Sequence, residues 1–125
     1  MSEWFDFTGK NVPSSKNSKQ WTGNKLIKSP LCQEYEQWAG PYFLMHKRAW
    51  KQVMKGMEYP VKVEFFFNRN SNRRFDYINI TQLVADLMVK FGYIEDDDAK
   101  HFIPIFTGYD VVSPKESGFK MRIVD

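Results

Sequence analysis

Between Arg73 and Asp98 the chain reads RRFDYINITQLVADLMVKFGYIEDDD, and this stretch constrains the fold more than any other. Ile80, Leu83, Val84, Leu87, Met88 and Phe91 recur at steps of three and four, the spacing that lays one apolar face along a helix. Gly92 ends the pattern where the chain must turn left-handed, a conformation that costs glycine no Cβ clash. A lone carboxylate, Asp76, opens the helix, and Glu95, Asp96, Asp97 and Asp98 follow its end without a break. Such a helix is roughly 22 Å long at ~1.5 Å per residue. Acids before and after it can therefore meet only if the chain doubles back along the helix, or if a second subunit supplies one set. A thinner apolar stripe, Ile78, Ala85 and Val89, lies roughly opposite the main face and predicts cover on that side too.

The rest of the composition narrows the class. A chain of 125 residues is one domain, 1–125, with room for a single core. One cysteine, Cys32, excludes an intramolecular disulfide and argues for a reducing compartment. There is no apolar run near ~18 residues for a membrane span, and MSEWFDF lacks the basic region of a signal peptide. The expectation is a cytoplasmic protein that does not engage a membrane. A net charge of +3 says little about partners, whereas the distribution of charge says more.

In chain order, Glu3 to Thr8 alternates as a strand, with Trp4 on one face and Phe5 and Phe7 on the other. Gly9 to Lys28 holds Lys10, Lys16, Lys19, Lys25 and Lys28 with no acid, and its serine, asparagine, proline and glycine content predicts a loop. Ser29-Pro30 starts a helix carrying Leu31, Tyr35, Trp38 and Tyr42. Gly40-Pro41 is expected to kink or break it, because proline lacks the donor and crowds the preceding turn. A second helical segment to about Lys55 would carry Leu44, Met45, Ala49, Val53 and Met54 inward. YPVKVEFFF, Tyr59 to Phe67, is the clearest strand, with Val61, Val63, Phe65 and Phe67 on one face. The basic loop NRNSNRR delivers into Asp76. Strand segments follow over His101 to Val112, interrupted at Pro104 and Gly108, then a turn over Pro114 to Gly118 and a strand to Val124. The fold class is α+β, a small mixed sheet with packed helices.

The arrangement around Asp76 resembles the RusA-like Holliday-junction resolvases, small endonucleases encoded largely by phages and prophages. That family carries an Asp-x-Asp-Asn motif opening a helix, a lysine on its first turn, then a glycine, a hydrophobic pair and an Asp-Asp step. Asp76, Asn79, Gly92 and Asp96-Asp97 match. Ile78 stands in place of the second aspartate and Gln82 in place of the lysine. VPSSKNS is similar to the family's Pro-Ser-x-Asn loop. The resemblance implies a homodimeric, metal-dependent endodeoxyribonuclease acting on four-way or other branched DNA in a bacterial host. It also implies that the acidic residues ligate the metal.

Read as chemistry, Asp76 and Asp97 are the candidate catalytic residues. With Asp96 they are the candidate ligands of Mg2+ (or Mn2+), a hard cation held by carboxylates and substrate phosphates. Asn79, one turn on, would orient Asp76. Arg69, Arg73 and Arg74, with Lys16, Lys19 and Lys25, are the candidate phosphate contacts, because a basic loop beside an acidic site is what phosphodiester cleavage needs. Glu64 could substitute for the lost ligand, and Arg73, Arg74 or Lys100 for the lost lysine charge. His46 and His101 read as structural. The alternative is a relative that binds branched DNA without cutting it.

Overall fold

The computed structural model describes residues 3–15, 19–22 and 25–124, with backbone only for 19–22 and 25–28. Four strands form one mixed sheet: β1 (Phe5–Thr8), β4 (Val61–Arg69), β5 (Phe102–Val111) and β6 (Gly118–Val124), in the order β1-β6-β4-β5. Only β4 and β5 run parallel, so the chain between them must return along the sheet, and it does so as helix α2 (Tyr77–Lys90). The alternation read in the sequence holds. Phe5 and Phe7, Val61 to Phe67 at every second residue, and Phe119, Met121 and Ile123 are all buried. Both helices cover this face, with Phe7 against Phe43 of helix α1 (Pro30–Met54) and Phe67 against Tyr77 of α2. The opposite face carries Trp4, Glu64, Phe66, Lys120 and Arg122, where Arg122 pairs with Glu64 and lies 4.2 Å over the Trp4 ring.

Four expectations are corrected. Residues expected as loop contain two strands, β2 (Lys19–Thr22) and β3 (Lys25–Lys28), paired antiparallel apart from the main sheet. A Gly-Asn step between two segments rich in β-formers is a hairpin signal that outweighed the lysines. The helix is also not broken at Pro41: α1 runs unbroken for 25 residues. Pro41 and Gln37, whose carbonyl the proline displaces, both lie on the exposed side, so that carbonyl can turn to water.

An unbroken α1 keeps one phase throughout, and the third correction follows from it. Cys32, Tyr35, Ala39, Phe43 and Trp50 face inward, whereas Leu44, Met45 and Ala49 are exposed. Finally, β5 continues through Pro104 and Gly108. It is an edge strand, where a missing donor breaks no ladder, and a register shift opposite Phe65 and Phe66 absorbs the irregularity.

The turn after α2 is held by backbone and side-chain hydrogen bonds to both helices. Gly92 takes φ +77°, and the Tyr93 amide returns to the Met88 carbonyl at 2.7 Å. The Tyr93 hydroxyl donates to the Phe43 carbonyl at 2.5 Å, and Trp50 Nε1 donates to the Tyr93 carbonyl at 3.0 Å. Burial of the ring raises the Tyr93 pKa, so the hydroxyl is held as a donor. This clasp aims the acidic run back along α2.

Candidate functional site

The sheet's β4 ends at Arg69, and the loop from 70 to 76 crosses to the start of α2. There it meets the segment after β1, and together they wall an open cleft of about 1100 Å³. Lys10, Asn11, Arg69, Arg73, Arg74, Asp76 and Asn79 line it. The second wall is tied down by Ser15, whose amide and hydroxyl both donate to the Asn79 carbonyl, at 2.9 and 2.8 Å. Asn79 thus links the cleft wall to the first turn of α2.

The basic residues do not act alike. Arg73 and Arg74 are exposed, with no ion pair among the described residues. Arg69 is engaged inside the protein: its guanidinium donates to the Val12 carbonyl and lies 4.7 Å over the Phe75 ring. Burial lowers its pKa, partly offset by the nearby Tyr35. It builds the cleft wall, whereas Arg73 and Arg74 line the same cleft with exposed side chains. Lys10 pairs with Glu34 at 3.3 Å. Lys16 lies outside the described residues, and so do the side chains of Lys19 and Lys25, which belong to β2 and β3.

Asp76 precedes α2 with extended backbone, yet its side chain does not cap the helix. Its Oδ2 accepts instead from Asn79 Nδ2 at 3.1 Å, the orienting contact expected of that residue. The chain does double back. Asp97 Oδ2 accepts from Gln82 Nε2 at 3.0 Å, and the same amide donates to Asp86 Oδ1. Asp97 therefore lies beside the middle of α2 and Asp76 at its start, some ~9 Å of helix rise apart. Between them sits Ile78, which is 73% exposed. A small groove lined by Ile78, Gln82 and Asp97 adjoins a depression lined by Ile78, Asp76 and Asn79.

The remaining acids face another way. His101 is half-buried between Asp98, at 2.5 Å from Nδ1, and Glu95, at 3.6 Å from Nε2. The Asp98 hydrogen bond, with the charges of Asp98, Glu95 and Asp96, raises the His101 pKa, and His101 lowers that of Asp98. Asp96, Asp98 and His101 have ligand atoms within 4.8 Å of one another, the one such metal-type group of three among the described residues. Asp96 Oδ1 accepts the Asp97 amide at 2.7 Å, so it shapes the turn. Glu64 lies on the opposite face of the sheet, paired with Arg122, and cannot replace a ligand on α2. Lys100 is exposed beside Asp98.

Sequence reasoning missed that Gln82 holds Asp97. The two are 15 residues apart, and only the turn's geometry brings them together. The aromatic floor beside Asp76 was also missed, because Phe75 ends a loop, Tyr77 opens α2 and Phe106 lies on β5, too far apart in sequence for a local signature. No helix among the described residues is long and apolar enough to cross a membrane. No family model matches the chain, and no curated protein sequence matches it.

Proposed function

We propose that the chain is a metal-dependent endodeoxyribonuclease of branched DNA, similar to the RusA-like resolvases and acting as a homodimer on four-way junctions. The observation that carries this reading is the return of Asp97 to the side of α2, within one helical turn of position 78 and on the same flank as the Asp76 cleft. Arg73 and Arg74 line that cleft with exposed guanidinium groups, the chemistry that suits a phosphate backbone. Asp76 and Asp97 offer carboxylate oxygens of the kind a hard divalent cation takes, each on its own side of Ile78, since the ~9 Å of helix rise between them exceeds the span of one ion's ligands. Each has one oxygen committed to an amide, from Asn79 or Gln82, and Oδ1 of each takes no hydrogen bond among the described residues. When bound, Mg2+ or Mn2+ supplies charge stabilisation at the phosphate. The chain's own contribution is to orient: Asn79 fixes Asp76, Gln82 fixes Asp97, and the Tyr93 clasp holds the turn. Two-fold symmetry would offer one site to each of two strands.

A second reading, a binder without turnover, is favoured by Ile78. An exposed apolar side chain separates the two carboxylates where the family has a third. One experiment distinguishes the two. A synthetic four-way junction is incubated with Mg2+ or Mn2+ and read for paired nicks, using wild type, Asp97→Asn, and Ile78→Asp with Gln82→Lys. Nicking by wild type, abolished in Asp97→Asn with junction binding kept, is expected of the nuclease. A silent wild type that gains nicking in the double variant establishes the binder. Removal of one well-placed electrostatic group costs ~10²–10³ in rate, so the change is readable.

A further inference from the structure

We propose that the depression beside Asp76 receives an unpaired nucleobase, so that this protein selects DNA by single-stranded character at the branch. The proposal rests on the nucleic-acid reading of the cleft but not on cleavage.

Phe75, Asp76 and Asn79 line both the basic cleft and the adjoining depression of about 560 Å³, so one surface passes from cations to aromatics without a break. The floor is an array of rings. Tyr77 stacks on Phe106 at 5.1 Å and 13°, and Phe75 meets Tyr77 edge-on at 5.4 Å. Tyr109, 48% exposed, extends the array edge-on to Phe75 at 4.8 Å. Ile78, the most exposed large apolar residue of the chain's described part, forms the wall against α2. Ile78 lines the depression, and Tyr109 stands just outside it against the Phe75 ring, so both present apolar surface to water beside the residues that the two surfaces share.

The chemistry identifies the occupant. Arg73 and Arg74 suit phosphates, but an aromatic floor offers nothing to the outside of an intact duplex, whose base faces are already stacked. A nucleotide released from pairing presents both parts at once: an anionic backbone for the arginines and a π face for Tyr109 and the Phe75–Tyr77 floor. Asn79 adds a polar rim, since one of its amide N–H groups is committed to Asp76 while Oδ1 takes no hydrogen bond among the described residues. A branch point supplies such nucleotides, whereas linear duplex does not. The competing occupant is a second copy of this chain, and the oligomeric state of the Tyr109 variant distinguishes the two.

The test measures binding of a fluorescein-labelled oligothymidylate of about twelve nucleotides, and of a linear duplex of equal length, in EDTA. Wild type is compared with Tyr109→Ala and Ile78→Ala, both at exposed positions that leave the core intact. Tyr109→Ala is expected to weaken single-strand binding by about 5- to 150-fold, the effect of losing one stacked base, Ile78→Ala to weaken it by less, and both to leave duplex binding unchanged. Equal losses on both probes, or none on the single strand, overturn the proposal. Conversion of a dimer to a monomer by Tyr109→Ala, seen by sedimentation, also overturns it and makes the patch a subunit interface. The nuclease reading fails separately: junctions left uncut with Mg2+ while the single-strand effect persists sink cleavage and leave the base site standing. Failure to bind either probe removes both.

Discussion

The two ends of α2 are built on opposite principles. At its C-terminal end, Phe91 stacks on Phe43, Tyr93 is clasped by Phe43 and Trp50, and the polar groups named there find partners inside the protein. At its N-terminal end, Arg73, Arg74, Asp76 and Ile78 all stand exposed, and the helix start lacks a side-chain cap. One end is satisfied by the fold, and the other keeps its charged and apolar side chains in water. The difference shows how a small domain can hold a flexible-looking acidic run in place. The run needs no rigidity of its own, because it leaves directly from the clasped end and comes back to Gln82.

That contrast breaks most visibly at Trp50. Trp50→Ala removes a fully buried ring and the donor to the Tyr93 carbonyl, and is expected to cost about 3–5 kcal/mol in urea unfolding. Replacing Arg73 and Arg74 together by alanine should change stability by less than about 0.5 kcal/mol each. The pair should instead reduce the salt slope of junction binding by ~1 per lost phosphate contact. If the arginine variant unfolds as readily as the tryptophan variant, the two ends are not different in kind.

Tyr93→Phe sharpens the comparison within the clasp. It keeps the ring packing and strips only the hydroxyl, while the Phe43 carbonyl keeps its helical N–H donor within α1. A loss of about 0.5–1.5 kcal/mol is expected, with an accompanying fall in junction nicking if the turn positions Asp97. Unchanged stability with unchanged nicking would show that the hydroxyl contributes nothing to placing the run.

The smallest effect lies at the His101–Asp98 pair, between the two ends. The His101 pKa is raised in the fold, so its contribution is complete below the ordinary value of 6.5 and is lost as pH climbs through the raised value. The Asp98 pKa is lowered, so its contribution is present above the ordinary 3.8 and is lost as pH falls through the lowered value. Melting temperatures of wild type and His101→Asn should therefore differ most between about pH 4 and 6.5 and converge as pH climbs through the raised His101 value. A gap that stays flat with pH would mean that the pair does not form in solution.

Patterns of period two and three to four were readable directly. The faces of β4 and β6, the inward stripe of α2 and the stop at Gly92 follow from steric and burial rules acting within a few residues, where sequence distance and spatial distance agree. The phase of α1 was not readable beyond Pro41. Whether a proline ends a helix depends on whether the displaced carbonyl can reach water and on what Phe43 and Trp50 pack against, and both are set elsewhere in the fold. The candidate acids were likewise visible as residue types, but not as a site. Asp97 meets Gln82, and Asp98 rather than Asp96 or Asp97 takes His101, because the Tyr93 clasp fixes the direction of the turn. Arg69 reads like its neighbours in the sequence, yet it is turned inward by the Val12 carbonyl and the Phe75 ring. Local patterning determined which surfaces this chain must bury. Contacts between residues far apart in sequence decided which charges stay free to act, because they set which groups meet a partner as the elements close on one another.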